Sequence, residues 1–220
     1  MSRPNDIGCR LKARDLRLCL ITDDANRPTA ELVAVVEGAL DGGVTAVQYR
    51  EKSADTVTVA EQLRALSPIC RARNAPLILN ASLLHAARQA DCLGLVDAVH
   101  YGRETWALRA TLAPHLPAGY SAHEIEEAHM HLADGAAYVT LSPIFDTPSK
   151  RGLLPPRGID WLREARQALG PDTIIVALGG ITADNAAKVL AAGANGVAVI
   201  RAIMGDPPAS PPSPRRNHMI

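Results

Sequence analysis

The sequence is poor in aromatic side chains and has no excess of either charge. Phe, Trp and Tyr make up 3% of the 220 residues, and Lys plus Arg equals Asp plus Glu at 23 each. So few aromatic rings disfavour the stacking surfaces that bind single-stranded nucleic acid. A net charge of zero gives no long-range attraction to nucleic acid or to an anionic membrane. We therefore expect no nucleic-acid or membrane partner, and any bound anion must be met by local groups.

Cysteine is also scarce, and long hydrophobic runs are absent from the sequence. The four cysteines form no CxxC pair, and no His lies near them at metal-ligand spacing. This pattern predicts reduced, mostly buried thiols in a cytoplasmic protein, rather than a disulfide framework or a metal site. No apolar run reaches the length of a membrane span, and the first 15 residues have no apolar signal core.

Short apolar segments alternate along the chain with longer amphipathic ones. The apolar runs are rich in Val, Ile and Leu, as in strands buried on both faces, whereas the longer segments repeat apolar residues at helical spacing. The candidate strands are LRLCLIT, AVQYR, PLILN, DAVHYG, AGYSAH, AYVTLSPI, TIIVALGG and NGVAVIRA. Eight such units predict a single α/β domain, a (β/α)₈ barrel over residues 16–204. A doubly wound open sheet is the alternative, but LITDDANRP lacks its glycine-rich phosphate turn.

Both ends of the chain depart from this repeating pattern. After Met204 the sequence GDPPASPPSPRRNHMI is too rich in proline for a helix. Residues 205–220 are therefore predicted to form a flexible tail, and the helix after the eighth strand is predicted to be missing or replaced by it. Residues 1–15 are predicted to form an N-terminal extension.

Polar and cationic side chains follow the apolar runs where the predicted strands end. In (β/α)₈ barrels these carboxyl ends share one rim, and that rim holds the active site. Cations, hydroxyls and amides gathered there suit a phosphorylated ligand. The candidate residues are Gln48, Arg50, Lys52, Asn80, Ser121, His123, Thr147, Ser149, Lys150 and Arg201. Gln48 and Arg50 lie two positions apart on one strand, so both are expected to face the barrel interior.

A second anion site is predicted at ALGGITADN. Gly179 and Gly180 end a strand, and the following helix can direct its backbone N–H groups and its dipole at a phosphate. Thr182 or Asp184 can cap this helix. The alternative is a tight turn from strand to helix with an ordinary cap and no anion site. Among the histidines, His123 is a candidate proton carrier and His100 is expected to be structural. His129 and His131 are expected on a helix surface.

Several of these segments together resemble the thiamin phosphate synthase and thiazole tautomerase superfamily, over roughly residues 16–204. The segments are LITD, GGVTAVQYREK, LILN, AVHYG, GYSAHEIEEA, YVTLSPIFDTPSK and VALGGITADNAAKVLAAGANGVAVI. The resemblance implies a (β/α)₈ fold, a homodimer, and substrates that are phosphorylated pyrimidines and thiazoles.

The resemblance also implies roles for individual residues. Gln48, Arg50 and Lys52 match the segment that binds the pyrimidine diphosphate. Asn80 matches the family's pyrimidine-side Asn, and Ser121 matches the family's serine before its conserved His. The remaining matches are Thr147, Ser149 and Lys150 in the Thr-x-Thr-Lys loop, and Gly179, Gly180 and Ile200 at the thiazole phosphate. Arg201 stands where the family has a small Ser. Lys52, Lys150 and His123 are the catalytic candidates.

The sequence departs from the family at two positions that matter for chemistry. The synthase branch is expected to use Mg²⁺ held by two Asp residues, whose positions here are Ala81 and Thr105, which leaves Glu104 as the metal-ligand candidate. The tautomerase branch has its catalytic His where this chain has Pro143. The main prediction is thus a synthase that joins hydroxymethylpyrimidine diphosphate to thiazole phosphate. An isomerase with His123 as base and a non-catalytic binder of thiamin-related phosphates are the alternatives.

Overall fold

The computed structural model describes residues 11–23, 25–147 and 154–205, and its parallel strands close into an eight-stranded barrel in sequential order. The strands are β1 (Leu18–Ile21), β2 (Ala46–Tyr49), β3 (Leu77–Asn80), β4 (Ala98–Tyr101), β5 (Ala118–Ala122), β6 (Tyr138–Leu141), β7 (Ile175–Leu178) and β8 (Gly196–Val199). Strand β1 pairs with β2 on one side and with β8 on the other. The barrel prediction is confirmed, and the open sheet is excluded because the first and last strands are hydrogen-bonded.

Helices cover the outside of the barrel and vary greatly in length. They are α1 (Thr29–Asp41), α2 (Thr56–Ala72), α3 (Leu84–Gln89), α4 (Arg109–Leu112), α5 (Ile125–Ala133), α6 (Gly158–Leu169), α7 (Ala183–Ala191) and α8 (Arg201–Met204). Short 3-10 helices lie at Ala13–Leu16, Ala81–Leu83, Leu93–Leu95 and Trp106–Leu108. None of the helices within the described ranges combines the length and the hydropathy needed to cross a bilayer.

Two glycine turns set the repeated step from helix to strand. Gly43 follows α1 with a φ of +101°, and Gly193 follows α7 with a φ of +110°. Left-handed backbone of this kind is unfavourable for residues with a Cβ, so glycine allows the chain to reverse immediately into the next strand. The sequence-based assignment of these two helix ends is confirmed.

The barrel interior is filled by side chains rather than left open. Alternate strand residues point inward, and many of them are small, which leaves room for the large ring of Tyr138. A Cβ on Gly119 would lie 2.1 Å from that ring, so glycine is required beside it. Leu11 and Leu16, which precede β1, are buried against the same interior cluster.

Two helices differ from the sequence-based expectation. The last helix is not missing, because α8 forms one turn after β8 and buries Met204. Residues 206–220, which make up nearly all of the predicted tail, lie outside the described residues. Helix α4 was not predicted, because it has only four residues. Pro114 and Pro117 follow it closely, and proline cannot continue a helix.

The thiols agree with the cysteine prediction where they are described. Cys19, Cys70 and Cys92 are free and buried, while Cys9 lies outside the described residues. Burial raises the pKa of both Cys19 and Cys70 to about 12, so these two remain protonated thiols.

Candidate active site

Gln48 and Asn80 meet at the carboxyl ends of β2 and β3. The amide nitrogen of Asn80 donates to Oε1 of Gln48 at 3.2 Å. Gln48 is buried inside the barrel, as its alternation with Arg50 predicts. The side-chain oxygen of Asn80, Oδ1, accepts from the N–H of Ser82 at 3.1 Å and from the hydroxyl of Ser82 at 2.8 Å. Both amides are therefore oriented by neighbouring groups before any ligand arrives.

The His100 ring lies between Tyr138, inside the barrel, and Ser121 at the barrel mouth. Its Nε2 lies 2.8 Å from Oγ of Ser121, and its Nδ1 lies 3.0 Å from the hydroxyl of Tyr138. Burial lowers the pKa of His100 to about 4, so the imidazole is neutral at pH 7. His100 is buried and hydrogen-bonded, as expected of a structural residue, but the sequence did not predict its contact with Ser121. Strand pairing carries the missing signal, because His100 pairs in register with Gly119 on β5, two residues before Ser121.

The end of β2 carries the predicted diphosphate cations. Arg50 is half-buried and Lys52 is exposed. The hydroxyl of Thr22, at the end of β1, accepts from the N–H of Arg50 and donates to its carbonyl oxygen, both at 2.8 Å. The intervening Glu51 is buried, so this segment is not a simple solvated charge cluster.

His123 lies just beyond β5, against the end of β6. Its Nδ1 is 2.7 Å from the carbonyl oxygen of Ser142, which can only accept, so Nδ1 donates its N–H to that oxygen. The His123 N–H donates to Glu127 at 2.9 Å, and its carbonyl oxygen accepts from Arg157 at 2.9 Å. The residue is therefore held by both its backbone and its ring.

The paired glycines after β7 pack directly against the loop after β6. Gly179 and Gly180 have φ values of +103° and +63°. A Cβ on Gly179 would lie 2.8 Å from the Cα of Pro143, and one on Gly180 would lie 2.6 Å from the carbonyl oxygen of Asp146. The two strand ends thus approach closely, immediately before Thr147 in the sequence.

Helix α7 begins at this glycine pair and directs its amino end at the barrel mouth. Thr182 occupies the cap position before its first turn, as predicted. Asn185 accepts from the N–H of Thr182 and donates to the carbonyl oxygen of Gly180, both at 2.9 Å. A helix amino end stabilises negative charge nearby, so this arrangement is compatible with the predicted phosphate site.

The structure describes some, but not all, of the remaining predicted site residues. Ile200 is half-buried and packs on the barrel interior, and Arg201 begins α8. Thr147 is half-buried at the start of its loop, whereas Ser149 and Lys150 lie outside the described residues. The functional roles of all the candidate residues stay predictions.

The residues at the expected Mg²⁺ positions do not fit the ion. Ala81 is buried and its side chain has no oxygen. The Thr105 hydroxyl already accepts from the N–H of Gly102 at 3.0 Å and donates to its carbonyl oxygen at 3.2 Å. Glu104 is exposed, and no group of three or more His, Cys, Asp or Glu suited to a metal occurs in the described part of the chain. Since Mg²⁺ prefers carboxylate oxygens, these positions lack the ligands that would hold it.

One histidine assignment from the sequence is wrong. His129 is exposed as expected, but His131 is half-buried between two aromatic rings. Its ring stacks on Tyr120 at a centroid distance of 3.6 Å and meets the edge of Trp106 at 4.9 Å. The helical periodicity of α5 did not reveal this, because the aromatic partners come from β5 and from the segment after β4.

A closed barrel with cations after β2 and a glycine pair before α7 is typical of the (β/α)₈ enzymes that bind phosphorylated small molecules. The family model described as thiamine monophosphate synthase matches residues 18–203. The chain belongs to this family of thiamin-biosynthetic transferases, and the resemblance drawn from the sequence is confirmed.

Individual relatives agree with the family. The thiamine-phosphate synthase of Chloroflexus aurantiacus is 39% identical over 192 residues, 86% of either chain. That of Moorella thermoacetica is 41% identical over 183 residues, which covers 81% of this chain and 82% of the relative. The structure of thiamine phosphate pyrophosphorylase from Pyrococcus furiosus superimposes with a TM-score of 0.75 at 32% identity, covering 88% of this chain and 90% of that one. These relatives favour the synthase interpretation over the tautomerase one.

Proposed function

We propose that this protein joins hydroxymethylpyrimidine diphosphate to thiazole phosphate and releases pyrophosphate. The observation that carries the proposal is family membership together with the cationic end of β2, where Arg50 and Lys52 follow the inward-facing Gln48. The tautomerase alternative is less well supported, because its catalytic His position is Pro143.

The reaction breaks the bond between the pyrimidine methylene carbon and the diphosphate oxygen, and forms a bond from that carbon to the thiazole nitrogen. Negative charge accumulates on the departing diphosphate while positive charge develops on the methylene carbon. Fixed cations beside the leaving group stabilise this separation of charge. Arg50 and Lys52 are the described residues proposed for this task, and Lys150 is proposed with them from the sequence. The glycine pair before α7 is proposed to hold the thiazole phosphate.

The test is to incubate the purified full chain with both substrates and Mg²⁺ and to measure thiamin phosphate. We expect product from the wild type, and a fall in kcat/KM of about 10²-fold or more for Lys52→Ala. Lys188→Ala is the matched control, because Lys188 is an exposed lysine in the last turn of α7. Absence of product from the wild type would overturn the proposal.

His123 separates the synthase proposal from the isomerase alternative. Coupling moves no proton to or from carbon, so we expect His123→Ala to keep coupling within about tenfold. An isomerase that uses His123 as base would lose about 10²- to 10⁴-fold, which is the usual contribution of a general base. Measuring both reactions with the same variant distinguishes these functions.

A homodimeric state and a cytoplasmic location belong to the same proposal, as does the Mg²⁺ that the family resemblance implies, although Ala81 and Thr105 supply no carboxylate for it. The buried free thiols Cys19, Cys70 and Cys92 support a reducing compartment. The homodimer is inferred from the family resemblance and is tested by light scattering of the full chain. The use of Mg²⁺ is tested by measuring the coupling rate of the wild type with Mg²⁺ and with a chelator in its place.

A further inference from the structure

We propose that Glu51 is a positioning residue: it fixes the backbone that carries Arg50 and Lys52, and with Arg27 it ties the end of β2 to the turn that carries Arg201. This inference rests on the proposed function, because it assigns those cations to substrate binding. Glu51 itself makes no contact with substrate in the proposal.

The first observation is the direction of the Glu51 side chain. It lies between two cationic residues, yet it is only 3% exposed, while the next residue, Lys52, is exposed. One carboxylate oxygen accepts from the N–H of Asn26 at 2.7 Å. The other accepts from the hydroxyl of Ser53 at 2.6 Å and from the N–H of Ser53 at 3.3 Å. A buried carboxylate requires such donors, and here they come from the loops after β1 and β2.

The second observation is that Arg50 is held at the other side of Glu51. The Thr22 hydroxyl engages both the N–H and the carbonyl oxygen of Arg50, and the N–H of Thr22 donates to the carbonyl oxygen of Gln48 at 3.0 Å. The backbone from Gln48 to Ser53 is thus fixed to the loop after β1 at successive points. Because the backbone directs its side chains, Arg50 and Lys52 leave this segment in set directions.

The third observation is a continuation of these contacts towards α8. The Tyr49 hydroxyl donates to Gln62 at 2.7 Å, and Gln62 donates to the carbonyl oxygen of Arg27 at 3.0 Å. Arg27 then donates to both oxygens of Asp23, at 3.1 and 3.0 Å, and to the carbonyl oxygen of Met204 at 3.0 Å. Met204 is the last residue of α8, the helix that begins at Arg201.

These contacts join three loops at the barrel mouth, those after β1, β2 and β8. We call Thr22, Asp23, Arg27, Glu51 and Gln62 the loop clamp. All five are largely buried, with side-chain exposures of 13% for Arg27 and 10% for Asp23. A network of this kind holds its shape because each member would be left unpaired in a low-dielectric setting if it moved. The proposed diphosphate cations and the turn that carries Arg201 therefore keep a constant separation.

The functional consequence is preorganisation of the anion site. Displacement of a catalytic group by about 1 Å can cost about 10²-fold in rate. If Glu51 is truncated, the segment after Arg50 loses its bond to the N–H of Asn26 while Arg50 keeps its bonds to Thr22, so Lys52 above all must be ordered when the ligand binds. We expect the loss to appear as weaker binding of a diphosphate group.

The test measures the binding of inorganic pyrophosphate to the full chain by calorimetry, which does not require the coupling reaction. We expect Glu51→Ala to weaken binding at least tenfold. Glu51→Gln should recover most of the affinity, because an amide oxygen can still accept from the N–H of Asn26. Ser53→Ala removes the hydroxyl that donates to Glu51, and this exposed position should tolerate the change even if Glu51→Ala does not fold. We expect it to weaken pyrophosphate binding by a smaller factor than Glu51→Ala.

A double-mutant cycle separates positioning from a general structural effect. If Glu51 acts through Lys52, then Glu51→Ala combined with Lys52→Ala should weaken binding by less than the product of the two single effects. The matched control is Asp97→Asn. Asp97 accepts from the N–H of Leu77 at 2.9 Å at the opposite, amino end of the strands, so this change should leave pyrophosphate binding unaltered.

Each outcome decides the inference. Affinity unchanged in Glu51→Ala or in Ser53→Ala, or fully multiplicative effects in the cycle, would overturn it. A wild type that does not bind pyrophosphate would overturn it together with the cation site it serves. A wild type that binds pyrophosphate but makes no thiamin phosphate overturns only the proposed function, because the calorimetric test of Glu51 still applies.

Discussion

Nε2 of His100 lies 2.8 Å from the hydroxyl oxygen of Ser121, which brings a neutral imidazole from the barrel interior up to a residue at the mouth. The other ring nitrogen is 3.0 Å from the Tyr138 hydroxyl, so both nitrogens are matched by hydroxyl groups. Either hydroxyl can donate or accept, so both contacts can form with the neutral ring, and burial of the ring disfavours its charged form. Protonation of His100 would therefore work against the folded state.

The first prediction is a pH dependence of stability that arises from His100. Its folded pKa of about 4 lies below the ordinary value of 6.5, so between these pH values the unfolded chain binds a proton that the folded chain does not. The free energy of unfolding should therefore fall as the pH drops through this window, by up to about 3 kcal/mol. His100→Gln, which keeps a donor and an acceptor, should flatten the dependence.

Urea unfolding of both proteins at pH 7 and at pH 4.5 measures the effect. Burial also lowers the pKa of His131, and this contribution acts in the same direction in both proteins, so their difference isolates His100. Equal changes with pH in wild type and variant would contradict the prediction.

The second prediction concerns the close approach of β7 to the loop after β6. Gly179→Ala places a Cβ at positive φ and 2.8 Å from the Cα of Pro143, so we expect a loss of at least about 2 kcal/mol in the free energy of unfolding. Binding of thiazole phosphate should weaken with it. Chemical denaturation and calorimetry measure the two effects.

Gly38→Ala is the control for a change from glycine to alanine. Gly38 lies inside α1, where an added Cβ would meet nothing within 4 Å. This variant should gain about 0.5–1 kcal/mol, because alanine loses less backbone entropy in a helix. A Gly179→Ala protein as stable as the wild type would show that the two loops do not pack as described.

The third prediction is that thiol reactivity reports on folding. Cys19, Cys70 and Cys92 are buried, and the pKa of about 12 for Cys19 and Cys70 leaves almost no thiolate at pH 8. A thiol reagent at that pH should modify no more than one of the four cysteines rapidly in the native protein, and all four in urea. Rapid modification of more than one native thiol would contradict the burial of these side chains.

The fourth prediction concerns the metal. Thr105→Asp can keep the acceptor that holds the N–H of Gly102, and combined with Ala81→Asp it supplies two carboxylates where the family is expected to have them. We expect the double variant to bind Mn²⁺ more tightly than the wild type and to show a stronger response of the coupling rate to Mg²⁺. Thr105→Asn combined with Ala81→Asn is the uncharged control.

Ala81 is 2% exposed, so the thermal stability of these variants must be measured alongside metal binding. Equal Mn²⁺ affinity in the carboxylate and amide variants, with the fold intact, would show that these two positions do not form a metal site.

Local patterns in the sequence were sufficient for the barrel and for much of the rim. Continuous apolar strands, amphipathic helices and glycines such as Gly43 and Gly193 depend on near neighbours in the chain, so they can be recognised without tertiary information. The predicted strand ends also identified Gln48, Asn80 and Ser121, because the carboxyl ends of barrel strands share one rim. The short helices α4 and α8 were not predicted, since a single turn has too few residues to show a period.

The tertiary structure alone decided which way the charged and aromatic side chains face. Glu51 sits in a charged run, and its burial depends on Asn26, 25 positions away in the sequence. His131 was assigned to a surface, but rings from other elements enclose it, and His100 reaches Ser121 only because β4 and β5 are neighbours. Residues with these partners look the same in the sequence whether buried or exposed. The sequence by itself determined the family, the barrel and which residue types end its strands, while the closure of the barrel decided which of those side chains contact one another.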